Sequence, residues 1–123
     1  MVKPILLNTD KMEWVPILSG NGFLKILRRN GGLTQIFKIV APPKGKLWKI
    51  QGTAAEGGEE VYILKGGFCN QTGKMIYGPS SYAFRPEGNV HAAFVKEETI
   101  VLAHFCGGNE DRDVTFEMVD LKR

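Results

Sequence analysis

The chain has no long hydrophobic run and contains very little cysteine or histidine. Its longest apolar stretch, Thr99 to Cys106, is too short to cross a bilayer and is interrupted by His104. Of 123 residues only two are cysteines, Cys69 and Cys106, and they lack the C-x-x-C spacing of zinc and redox motifs. We therefore expect no membrane partner, and two small buried thiols rather than a disulfide.

Several functional classes are excluded by what else is missing. The sequence has no Gly-rich phosphate loop and no G-x-S-x-G nucleophile motif. Its net charge of +3, from 16 basic and 13 acidic residues, is too small to indicate a nucleic-acid partner. The first residues lack the apolar core and cleavage site of a signal peptide, which favours a cytoplasmic location.

Glycine and proline are plentiful, and their placement predicts an all-β chain. Most of the 15 glycines and 6 prolines fall between short apolar runs, and no helical periodicity of useful length is present. The length suits one domain spanning 1–123 with a single core. We predict ten strands: Trp14–Leu18, Phe23–Arg28, Leu33–Val40, Leu47–Gln51, Glu60–Cys69, Met75–Tyr77, Ser81–Arg85, His91–Lys96, Thr99–Cys106 and Val114–Val119.

Two short motifs contain the candidate catalytic and metal-binding residues. In the first, Glu59 is followed after six residues by Gly66, and in the second, Pro86, Gly88 and His91 stand in the order P-x-G-x2-H. Together they resemble the two signatures of the cupin superfamily, G-x5-H-x-H-x(3,4)-E-x6-G and G-x5-P-x-G-x2-H-x3-N. The chain looks most similar to the subgroup of ChrR-type anti-sigma factors and acetylacetone-cleaving enzymes. This resemblance implies a jelly-roll barrel, a double-stranded β-helix.

The resemblance also implies a metal centre of three histidines and one glutamate inside the barrel. Carried over position by position, His91 would be the last histidine and Glu59 the carboxylate, with Glu60 as the alternative. The H-x-H positions fall on Thr53 and Ala55, which are poor ligands. A divalent metal such as Zn, Fe or Mn would then be held weakly, by two residues.

Three functions stay open at this point, one of them a structural or assembly role. The first is an enzyme acting on a small organic molecule, by lyase, isomerase, cyclase or oxygenase chemistry, in which Glu59 or Glu60 takes a proton and His91 returns one. The second is a non-catalytic module that binds or senses a small molecule. For two candidate substrate-binding residues a structural role is the alternative: His104 as a hydrogen-bonded core histidine and Arg85 as a surface arginine. The resemblance further implies a homodimer. The candidate substrate-binding residues are Trp48, Tyr62, Phe84, Arg85, Phe94 and His104.

Overall fold

Short amphipathic strands joined by glycine-rich turns build this fold. A computed structural model describes residues 3–123. These residues form eleven strands and two single-turn 3-10 helices, Thr9–Lys11 and Leu18–Gly20. The strands are β1 (Val15–Ile17), β2 (Gly22–Arg28), β3 (Leu33–Ile39), β4 (Lys46–Thr53), β5 (Glu59–Lys65), β6 (Phe68–Cys69), β7 (Met75–Tyr77), β8 (Tyr82–Arg85), β9 (Val90–Val95), β10 (Thr99–Phe105) and β11 (Arg112–Asp120).

The strands pair into two antiparallel sheets, so the predicted all-β jelly-roll class is confirmed. One sheet has the order β1-β2-β3-β10-β5-β8, and the other has the order β11-β4-β9-β6-β7. Several neighbours in the sheets, such as β3 and β10 or β4 and β9, come from distant parts of the chain, which brings the two motifs into one structure. The predicted strand Glu60–Cys69 is divided, because Gly66 and Gly67 both adopt positive φ and turn the chain from one sheet to the other.

The core lies between the sheets, where alternate side chains of each strand meet. Strand β10 shows the pattern best, because Val101, Ala103 and Phe105 are buried while the residues between them are half-exposed. A second buried cluster holds Ile39, Trp48 and Val95. Beside these clusters a cavity remains between the sheets, and Glu59 and His91 of the two motifs line it.

The two cysteines are in different environments. Cys69 is buried, as predicted, whereas Cys106 is exposed, which corrects the expectation that both are core residues. Within residues 3–123, neither helix has the length or the apolar character needed to cross a membrane. The cytoplasmic location, the homodimer and the absence of a nucleic-acid partner remain predictions.

Candidate active site

The first motif delivers Glu59 to the interior. Glu59 is the first residue of β5, lies directly opposite Arg85 of β8, and is only 4% exposed. Arg85 Nη1 donates a hydrogen bond to Glu59 Oε1 over 3.2 Å. Because a buried carboxylate needs a partner, this cross-strand pair allows Glu59 to remain charged inside the fold.

The second motif delivers His91 to the same place. His91 Nε2 lies 3.2 Å from Glu59 Oε1 and 2.9 Å from Asp111 Oδ2. On the other side of the ring, Nδ1 lies 3.4 Å from the backbone carbonyl oxygen of Asn89. Both ring nitrogens therefore face hydrogen-bond acceptors, an arrangement that favours the imidazolium form.

The sequence analysis missed Asp111. It belongs to the polar loop before β11, and nothing in a loop's composition tells which side chain turns inward. The fold makes room for it at Gly52, where a Cβ atom would lie 3.2 Å from both Cβ and Oδ2 of Asp111. The absence of a side chain on β4 thus lets a carboxylate from the C-terminal loop reach His91.

The surroundings of Glu59, His91 and Asp111 shift their pKa values in different directions. Burial alone would lower the pKa of His91, but its hydrogen bonds to Asp111 and Glu59 outweigh burial and raise that pKa to about 9. Burial alone would raise the pKa of Glu59, but the His91 hydrogen bond and the charge of Arg85 hold it below its ordinary value. Burial and the nearby Glu59 charge raise the pKa of Asp111, although its bond to His91 opposes the rise.

These residues form one wall of a cavity of about 320 Å³ between the two sheets. Most of the lining is apolar, and it includes Phe37 and Val101. Two buried acceptor atoms in this lining, Gln35 Oε1 and Asp111 Oδ1, have no hydrogen-bond partner among the described residues. Since buried polar atoms are normally paired, these two atoms are available to accept a hydrogen bond from a donor in the cavity.

Several predicted site residues lie elsewhere. Glu60 points to the opposite face of β5 from Glu59, and its Oε1 accepts a hydrogen bond of 2.7 Å from the Tyr82 hydroxyl. His104 is likewise on the outer face of β10, with Nδ1 2.8 Å from Thr34 Oγ1. Neither lines the cavity. Glu60 and His104 therefore do not belong to the group around His91.

The four aromatic residues predicted to bind a substrate do not line the main cavity. Trp48 is a core residue that stacks on Phe116 with ring centroids 4.8 Å apart. Tyr62 is 39% exposed and Phe84 is 52% exposed, and Phe94 alternates with the inward-facing residues of β9. None of these four predicted residues lines the main cavity, although Phe84 borders a smaller neighbouring one. Alternation along a strand shows which residues share a face, but not which face is inside.

The positions assigned to the H-x-H ligands shift by one residue. The β4–β9 register pairs Gly52 with His91, so these two residues share the inward face and Thr53 points away. The wider spacing of the family pattern, with four residues before the glutamate, places H-x-H on Gly52 and Ala54 instead of Thr53 and Ala55. Neither alignment supplies a suitable ligand, since glycine and alanine side chains have no ligand atom and the Thr53 hydroxyl is a poor ligand that faces away from His91.

We expect the double variant Thr53→His/Ala55→His to gain no tightly bound metal, because Thr53 faces away from His91. The measurement is elemental analysis of the purified variant beside the wild-type protein. A new equivalent of zinc or manganese in the variant would show that the two positions do converge on the cavity.

The residues present do not fit the metal centre that the family implies. The chain has two histidines in all, and His104 is on the outer face, so three imidazoles cannot converge. Glu59, His91 and Asp111 offer ligand atoms within 4.8 Å of one another, which satisfies distance alone. However, the permanently charged guanidinium of Arg85 lies 3.2 Å from Glu59 Oε1, where it competes with a divalent ion for the carboxylate and repels it.

Comparisons with known proteins agree with this fold. A family model for the ChrR cupin-like domain matches residues 2–109. A candidate acetylacetone dioxygenase from Methylibium petroleiphilum PM1 superimposes with a TM-score of 0.66 at 16% identity, over 95% of this chain and 91% of that one. The acetylacetone dioxygenase of Acinetobacter johnsonii gives 0.58 at 19% identity, over 90% and 85% of the two chains.

The polyketide cyclase RemF from Streptomyces resistomycificus also superimposes, with a TM-score of 0.58 at 16% identity over 93% of this chain and 84% of that one. A search of curated proteins found no match. At these identities the structural likeness establishes the fold and not the reaction. Because the family model spans most of its length, the chain belongs to the ChrR cupin-like domain family.

Proposed function

We propose that this protein is an enzyme that moves protons within a small carbonyl compound bound in the cavity between the sheets. The observation that carries the proposal is the position of His91, whose Nε2 lies within 3.2 Å of two carboxylates at the wall of an apolar cavity. Neighbouring acid and base groups with separated acidities are the usual requirement for such chemistry at neutral pH.

The three groups have separate roles in this proposal. Asp111 is the base, because its Oδ1 is buried without a partner among residues 3–123 and the pKa of its carboxyl group is raised. His91 is the acid, since its Nε2–H can be donated to a substrate carbonyl oxygen as negative charge develops there. Glu59, held in its charged form by Arg85, keeps the imidazolium in place.

The cavity restricts the substrate to a small molecule with a mainly apolar body. A volume of about 320 Å³ lies at the lower end of ligand sites in proteins. Gln35, which lines the same cavity, offers a polar contact in addition to the acid–base group. Two of the structural relatives are named for acetylacetone and polyketide chemistry, which directs the choice of first compounds to small diketones and cyclic ketones.

The proposal is tested by exchange of α-hydrogen for deuterium in heavy water, followed by NMR, on ketones whose uncatalysed exchange is slow. We expect the wild-type protein to accelerate exchange, and Asp111→Asn or His91→Gln to reduce the acceleration by about 10² to 10⁴. Glu117→Gln, an exposed carboxyl change on β11, is the matched control and should exchange like wild type. Equal rates in wild type and Asp111→Asn would contradict the assignment of the base.

Two further measurements distinguish side-chain catalysis from metal-dependent catalysis and from binding without catalysis. Activity that survives a chelator supports acid–base catalysis by the side chains, whereas activity that requires added metal contradicts it. The non-catalytic alternative, a binding or sensing module, is favoured by the two unpaired acceptors in the cavity. It predicts ketones that raise the melting temperature without any exchange.

A further inference from the structure

A second group of metal-ligating side chains lies on the outer face of the six-stranded sheet. It consists of Glu60, His104 and Cys106, whose ligand atoms lie within 4.8 Å of one another. Glu60 and His104 stand directly opposite each other in the β5–β10 register. Cys106 follows His104 by two residues, in the turn directly after β10. The cavity is on the other side of this sheet, lined there by Ala103 and Phe105.

We propose that Glu60, His104 and Cys106 bind a zinc ion. Thiolate, imidazole and carboxylate are the three side-chain ligands that zinc accepts in proteins, at about 2.0–2.3 Å from the metal. Ligand atoms around one tetrahedral ion lie about 3.3–3.6 Å apart, which requires only a small inward rotation of the three side chains. Cys106 is exposed and Glu60 and His104 are half-exposed, so none is locked in place by the core.

Neighbouring residues already orient two of the ligands. The Thr34 hydroxyl lies 2.8 Å from Nδ1 of His104, which leaves Nε2 as the nitrogen for the metal. The Tyr82 hydroxyl occupies Oε1 of Glu60 and leaves its other oxygen free. Such outer contacts fix ring orientation and ligand basicity in zinc sites.

The backbone near the site also accommodates the histidine ring. At Gly32 a Cβ atom would lie 2.6 Å from Cε1 of His104, so a residue with a side chain would displace the ring. The amide of Cys106 donates to the carbonyl oxygen of Gly58 over 3.0 Å, which holds the start of the following loop against β5. Three protein ligands leave one position open for water or an added ligand.

The test is titration of the reduced, metal-free protein with Co²⁺, which takes the place of zinc and gives a thiolate-to-cobalt charge-transfer band when a cysteine binds it. We expect the band at one equivalent in wild type, and its loss in Cys106→Ser and in His104→Asn. Cys106 is exposed, so its replacement should leave the fold intact. Zn²⁺ added afterwards should remove the band by displacing cobalt.

Two controls locate the site. Cys69→Ser removes the buried thiol, and His91→Gln alters the cavity group; both should keep the full band. Thr34→Val should weaken Co²⁺ affinity by about 10- to 100-fold, as expected for an outer-contact change. No band in wild type would overturn the proposal, and so would a band that persists in Cys106→Ser. Neither result depends on the activity proposed for the cavity.

Discussion

Raising the pH from 6.5 to above 9 is expected to lower the free energy of unfolding by about 3 kcal/mol through His91 alone. In the folded protein the pKa of His91 is raised from 6.5 to about 9 by two carboxylates. A raised pKa means that the folded state holds the proton more tightly than the unfolded state. The contribution is therefore complete below 6.5 and disappears as the pH rises through about 9.

The measurement is urea unfolding of wild type and of His91→Gln at several pH values across this window. Because other groups also contribute to the pH dependence of stability, the informative quantity is the difference between the two proteins at each pH. We expect that difference to shrink as the pH rises. A constant difference would show that His91 is not held as an imidazolium between Glu59 and Asp111.

On the acid side the free energy of unfolding changes with pH in the opposite direction, and Glu59 is the cause. The pKa of Glu59 is held below its ordinary value, so its charge contributes to stability above that ordinary value. This contribution is lost as the pH falls through the lowered pKa. The Glu59 contribution therefore declines towards acid pH and the His91 contribution declines towards alkaline pH, while the raised pKa of Asp111 opposes the acid decline.

Replacing Gly66 by Ala is expected to destabilise the fold by about 3 kcal/mol or more. Gly66 has φ +70, and an added Cβ would overlap the carbonyl oxygen of Glu98 and lie 2.6 Å from Thr99 Oγ1. The Thr99 hydroxyl is already engaged, since it accepts from the amide of Gly67 over 3.1 Å and is buried. Neither the backbone oxygen nor this hydroxyl can move away at low cost.

Gly88→Ala is the matched control, in the second motif. Gly88 also has positive φ, +81, but an added Cβ would meet nothing within 4 Å. We therefore expect a loss of only about 1 kcal/mol, the cost of left-handed backbone for a residue with a side chain. Urea unfolding of both variants measures the two values. Equal losses would show that backbone strain alone explains the glycine of the first motif.

Much of the fold could be predicted from local chemistry. Alternating apolar residues and turn glycines indicated nearly every strand, because strand period and positive φ are properties of a few neighbouring residues. The E-x6-G and P-x-G-x2-H motifs pointed to Glu59 and His91 through their resemblance to the cupin signatures, and the structure brings these two residues together. In each case the signal lay within fewer than ten consecutive positions.

What lies inside the barrel was decided by tertiary structure. Period-two alternation separates Glu59 from Glu60 but is symmetric between the two faces, and only the packing of the second sheet makes one of them the interior. For the same reason Phe94 and His104 could not be told from cavity residues. The inward position of Asp111 depends on contacts between residues that are far apart in the sequence. The β11–β4 pairing brings its loop over Gly52, and no short-range pattern encodes that contact.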